Sequence, residues 1–186
     1  MNIVYFDLET QKSAEEVGGW SNKHLMRVSF GVSYSTQDDQ FKGYEEGDMP
    51  ALLAELSAAD LVIGYNIIGF DYPVLSAYTQ RDFSTLPTLD LMADLRATLG
   101  FRLKLDNLTS ATLKSGKSAE GLMAIQWFQE GNFGKIALYC KEDVRITRDL
   151  HRFGCEHKFV YYTDKWNRTH KAPVTWSLAR SPGGPA

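Results

Sequence analysis

Asp7 and Glu9 stand two apart in the segment Asn2-Ile3-Val4-Tyr5-Phe6-Asp7-Leu8-Glu9-Thr10, where the period of two in an extended chain points both carboxylates to one face. In so apolar a segment two acids are driven apart or protonated unless a cation holds them, because an unpaired buried charge costs several kcal/mol. The plainer alternative is an exposed strand end with both acids solvated. Asp71 follows an apolar run and the loop Asn66-Ile67-Ile68-Gly69-Phe70, and opens a helical pattern. Its carboxylate either caps that helix or sits with Asp7 and Glu9 at the carboxyl ends of the strands, where ligands collect in open α/β sheets. Tyr139 and Asp143 are four apart, one turn along one helix face. Their alternative is a core aromatic beside a surface acid, with Arg145, Arg148 and Arg152 as ion-pair partners.

The elements that must position these residues follow from periodicity. Residues 2–10 read as a buried central strand, and 26–34 with 41–44 as an antiparallel hairpin around the polar turn 36–40. Asp48-Met49-Pro50 marks a helix start, continued by Leu52, Leu53 and Leu56. Leu61–Asn66 reads as a short strand, and Asp71 opens a helix containing Val74, Leu75 and Tyr78. A strand around 86–89 and helices near 91–99, 105–113 and 119–129 come next. The longest helical pattern begins at Asn132-Phe133 and ends before Gly154. Phe159–Tyr162 and Val174–Trp176 flank a polar turn and predict a terminal hairpin, and Ser181–Ala186 a frayed tail. The expectation is one α/β domain over residues 1–180, a mixed sheet flanked by helices with a C-terminal β-hairpin, and a disordered tail over 181–186.

Length and composition agree. The 186 residues suit a single domain, and 44% apolar with 23% charged residues supplies a real core and excludes wholesale disorder. No apolar run reaches the roughly 18 residues that span a bilayer, and no secretory signal opens the chain, so a soluble cytoplasmic protein with no membrane partner is expected. Cys140 and Cys155 lie about 22 Å apart along helical geometry, so both are expected as free thiols. The net charge of −3 hides an asymmetry: residues 1–95 carry 5 Lys/Arg against 15 Asp/Glu, and residues 96–186 carry 15 against 8. Such a split accompanies nucleic-acid contact, and equally an ordinary solvated surface.

Taken together, Phe6-Asp7-Leu8-Glu9-Thr10, Asn66-x-x-x-Phe70-Asp71-x-x-x-Leu75 and Tyr139-x-x-x-Asp143 resemble the three exonuclease motifs of the DEDD superfamily, over residues 2–153. Ribonuclease D and the proofreading domains of DNA polymerases belong to that superfamily. The histidine subtype would place His at position 138, which is Leu138, so the tyrosine subtype is the match. Among relatives the layout is similar to the YprB-like predicted exonuclease domains, some of which accompany helicases. The resemblance implies a ribonuclease H-like fold and a 3′-to-5′ exonuclease that releases nucleoside 5′-monophosphates from single-stranded DNA or RNA or a frayed 3′ end. It implies two Mg²⁺ or Mn²⁺ ions held by Asp7, Glu9, Asp71 and Asp143, with Asp7 bridging and Asp71 on the second ion. Tyr139 would position the attacking water. Leu8, Thr10, Asn66 and Phe70 would contact the terminal nucleotide, although Phe70 also suits the core beside Val74 and Leu75. Trp20 and His24 fall where a lid could form, and Arg102, Lys104, Lys114 and Lys117 are phosphate-contact candidates. The alternative is a nucleic-acid-binding or helicase-associated adaptor of the same fold without useful turnover, and a helicase or polymerase is a conceivable partner of either.

Overall fold

The computed structural model describes residues 1–115 and 121–178. Lys117 and the 181–186 tail lie outside the described residues, as do the first residues of the helix expected at 119–129.

Among the described residues the chain builds β1 (Ile3–Thr10), β2 (Val28–Ser35), β3 (Gln40–Tyr44), α1 (Met49–Ala58), β4 (Leu61–Gly64), α2 (Asp71–Leu75) and β5 (Thr88–Asp90). There follow α3 (Leu91–Leu99), α4 (Leu105–Leu113), α5 (Gly121–Gln129), α6 (Phe133–His157), β6 (Phe159–Thr163) and β7 (Thr169–Pro173). Five strands form one sheet in the order β3-β2-β1-β4-β5. β2 runs antiparallel to β1 and β3, and β4 runs parallel to both β1 and β5. This is the mixed α/β class expected, a five-stranded mixed sheet with flanking helices.

Alternation along β1 divides the core. Val4, Phe6 and Leu8 enter the apolar layer shared with Leu52 and Leu56 of α1 and Val74 and Leu75 of α2. Ile3 and Tyr5 enter the opposite layer with Cys140, Val144 and Leu150 of α6. The same period carries Asp7 and Glu9 onto the α6 face. α6 supports this because Ile136, Tyr139, Cys140, Asp143, Val144, Thr147 and Leu150 recur at three- and four-residue intervals and are all buried.

Local chemistry departs from the sequence expectation in several places, among them α6, which runs on through Gly154 to His157 and ends on a left-handed Lys158. β4 stops at Gly64 instead of Asn66, because Asn66 takes a left-handed φ of 67° and Ile67 folds back over Gly64. α2 ends at Leu75, before Tyr78, whose hydroxyl turns away to accept from the Val28 N–H and to donate to Glu46 Oε1. The C-terminal hairpin exists, but its second strand is Thr169–Pro173, paired Phe159 with Pro173 through Thr163 with Thr169. Val174–Trp176, expected as that strand, is instead a core plug. Its buried, exposed, buried alternation mimics a strand, but the Trp176 ring packs on Gly154 of α6, where a Cβ would lie 2.3 Å away. The indole Nε1 donates to Asp94 Oδ2 at 2.7 Å. Cys140 is buried and Cys155 half-buried, both as free thiols.

Candidate active site

The acid-bearing end of β1 and the middle of α6 meet on one side of the sheet. There Asp7, Glu9 and Asp143 each offer a carboxylate oxygen, and these oxygens lie within 4.8 Å of one another. Glu9 and Asp143 are buried and Asp7 half-buried. The three line a cleft of about 1150 Å³ together with Leu8, Thr10, Asn66, Phe70, Asp71 and Tyr139, so every residue singled out from the sequence motifs reaches one cavity.

Asp71 arrives from the parallel side of the sheet. It does not cap α2 by the usual route, since Phe70 occupies the capping position; its Oδ1 accepts the Leu8 backbone N–H of β1 at 3.0 Å. Burial pushes its carboxyl up to about 8, opposed by the N–H groups of Leu8 and Asp71 itself, and the Asp90 charge adds to the rise. A bound cation would act in the opposite sense, favouring the ionised form. Asp71 stands apart from the three-carboxylate group and lines the same cleft.

Tyr139 is 5% exposed and meets the Trp127 ring edge-on at 6.0 Å, packed with Ala124 and Ile136. One residue along, the Cys140 thiol sits beneath Asp7. Burial, then the carboxylates of Asp7, Glu9, Asp143 and Asp71, hold its pKa well above the ordinary thiol value. Its S–H donates to the Asp7 backbone carbonyl, and the clustered donors are three carboxylates with a fourth lining the same cleft. Hard divalent cations such as Mg²⁺ and Mn²⁺ fit such a donor set. The arginines further along α6 have partners of their own: Arg145 binds Glu142 and Asp149, Arg148 binds Asp149, and Arg152 donates to the Tyr34 hydroxyl.

The expected nucleotide contacts fall into two kinds. Leu8 turns its side chain into the α1 layer, against Gly31, so only its backbone faces the cleft. Thr10 is buried and its hydroxyl donates to the Lys12 carbonyl at 3.0 Å. Phe70 packs against the same core layer and also meets the exposed Trp20 ring at 6.3 Å, which makes it a wall of both core and cleft. Trp20 lines the cleft, whereas His24 lies in a separate depression with Arg27. Arg102 and Lys104 line the cleft; Lys114 folds back to donate to the Ala111 carbonyl.

Asp90 was not singled out from the sequence, yet it organises the site's second wall. Its Oδ1 accepts the N–H groups of Asn66, Met92 and Ala93, and its Oδ2 that of Ile68, so one buried carboxylate caps α3 and fixes the loop leading to Phe70 and Asp71. The available signal was an acid directly between a strand and the helical pattern starting at Leu91.

No family model matches the sequence, and no curated protein matches it. The fold is similar to that of E. coli exonuclease I in its crystal structure with a 5cy-dA13 oligonucleotide, with a TM-score of 0.45 and 13% identity, covering 83% of this chain and 40% of that one. The chain thus spans less than half the length of that protein. No described helix is long and apolar enough to cross a membrane.

Proposed function

We propose that this chain is a divalent-metal-dependent 3′-to-5′ exonuclease that hydrolyses the terminal phosphodiester of single-stranded DNA or RNA, or of a frayed 3′ end, and releases nucleoside 5′-monophosphates. The observation that carries the reading is the convergence of Asp7 and Glu9 with Asp143, more than 130 residues away in sequence, to within 4.8 Å in a cleft. Three acids this close repel each other unless protons or cations intervene. A site kept for stability alone gains little from such crowding.

In this reading Asp7, Glu9 and Asp143 hold the ions and Asp71 helps to hold the second. When bound, divalent ions of this kind supply Lewis acidity toward phosphate and water. The Tyr139 hydroxyl orients the attacking water as a hydrogen-bonding group. It does not serve as a base, because a phenol with pKa about 10 stays protonated at neutral pH. The Asn66–Phe70 loop, held by Asp90, and the Leu8 backbone position the terminal nucleotide. Arg102 and Lys104 attract the phosphates that follow. A helicase or polymerase partner finds no support among the described residues.

The test is turnover of a uniformly labelled single strand with Mg²⁺ or Mn²⁺ and with chelator, for the wild type, Asp7→Asn and Asp143→Asn. Metal-dependent release of mononucleotides, lost in both variants, is the expected result. A wild-type protein that binds the strand and releases nothing with either metal overturns the reading and leaves the adaptor alternative.

A further inference from the structure

The hairpin of β6 and β7 ends in the turn Asp164-Lys165-Trp166-Asn167-Arg168, which presents an indole that is 64% exposed. Lys165 Nζ lies 4.4 Å and Arg168 Cζ 4.7 Å from the ring centroid. The turn is fixed, not floppy. Asp164 accepts the N–H groups of Trp166 and Arg168 and the Arg168 Nε, and shares a 2.9 Å hydrogen bond with His170 Nε2. At its base the hairpin is tied to α4 by a reciprocal pair of bonds: Asn107 Nδ2 donates to the Thr163 carbonyl, and the Thr163 N–H to Asn107 Oδ1. Rings continue toward the cleft. Tyr162 stacks on His170 at 5.2 Å and meets Phe101 edge-on at 5.9 Å. Phe101 is itself exposed, and its neighbours Arg102 and Lys104 line the cleft.

Single-strand binders combine cations that follow the phosphates with aromatic faces on which bases stack. We infer that the line Arg102/Lys104, Phe101, Tyr162/His170, Trp166 with Lys165 and Arg168 is a binding track for a single nucleic-acid strand, with a base stacked on Trp166 several nucleotides upstream of the 3′ end in the cleft. The upstream placement rests on the exonuclease reading; the stacking site itself does not. The shared chemistry is a purine or pyrimidine face next to phosphate, in DNA or RNA.

The experiment measures, in chelator, anisotropy of fluorescein-labelled thymidine and uridine oligomers of about 20 nucleotides, longer than the roughly 4–16 that one binding site covers, and of about 3 nucleotides, shorter than it. Trp166→Ala is expected to weaken binding of the long oligomer about 5- to 100-fold, the loss of one base–aromatic stack. Trp166→Leu, which keeps apolar bulk without the ring face, is expected to do the same, while the short oligomer is unaffected. Lys165→Gln should reduce the slope of log affinity against log salt by about 0.7. Ring dependence with either sugar supports the track. Long-oligomer binding unchanged in both Trp166 variants overturns it, even if the wild type releases nucleotides. Conversely, Trp166-dependent binding with no metal-dependent release supports the track and overturns the exonuclease reading. A wild type that binds neither oligomer overturns the track, whether or not it releases nucleotides with metal.

Discussion

Cys140 Sγ lies 3.2 Å from the backbone carbonyl oxygen of Asp7 and 3.7 Å from its Oδ2, so a thiol of α6 supports the first acid of β1 from the core side. Two expectations follow from its burial. Under native conditions, alkylation followed by intact mass should give at most one adduct, at the half-buried Cys155, with both thiols reacting in denaturant. Cys140→Ala should lower turnover about fivefold through the lost donor, on the order of 1 kcal/mol, and Cys140→Ser should recover most of it. Equal activity of all three proteins would show that the thiol fills space only.

The three clustered carboxylates make metal dependence readable without activity. Thermal melts of the wild type should shift upward with Mn²⁺ or Mg²⁺, by about 2.7 kcal/mol of stabilisation when the metal is at 100 times its dissociation constant. Asp7→Asn should melt at or above the wild type in chelator, because one repelling charge is gone, and should lose most of the metal-induced shift. A wild type indifferent to both metals would count against the cation site.

Asp90 tests the loop. Its four backbone bonds make Asp90→Ala destabilising by about 3 kcal/mol, combining a lost cap with unpaired buried N–H groups. Asp90→Asn keeps one acceptor oxygen and should cost about 1 kcal/mol. With Asn66 and Phe70 loosened, the rise in KM should exceed the fall in kcat in the Asn variant. The reverse split would place Asp90 closer to the chemistry than its position suggests.

His151 sets a pH dependence of the fold. It is fully buried on α6, its Nδ1 shares a 2.9 Å hydrogen bond with the Tyr5 hydroxyl, and its Nε2 lies 3.4 Å from Cys155 Sγ. Burial, reinforced by the Arg152 charge, lowers its pKa from 6.5 to about 4. Between those values the unfolded chain binds a proton that the folded chain does not, so stability rises with pH across this window and falls as pH drops through it. The decline from pH 6.5 to 4 should reach about 3 kcal/mol. His151→Gln, followed by urea denaturation at several pH values, should flatten this part of the profile; an unchanged slope would assign it to other groups.

The motifs were legible because each lies on one element with its own period. Asp7 and Glu9 share a strand face, Tyr139 and Asp143 share a helix face, and Asp71 follows a strand and loop. What escaped the sequence depends on contacts between distant segments. Nothing near Asp90 signals that its second oxygen holds Ile68. The alternation of Val174 and Trp176 is set by packing on Gly154, not by a neighbouring strand. The Tyr5–His151 hydrogen bond joins residues 146 apart. Leu8, between the two acids, turns to the opposite face by the period of two, but that its side chain packs on Gly31 under α1 depends on the distant partner strand.

β1 is the middle strand of the sheet, paired with β4 over Ile3–Tyr5 and with β2 over Val4–Thr10 and covered on both faces, and it carries two of the clustered acids. The amides of its centre should therefore be among the last in the chain to exchange with deuterium, opening only when the whole fold opens. The chemistry-bearing oxygens on that strand then inherit the lifetime of the native state itself, so agents that merely fray loops or peel edge strands leave their spacing intact.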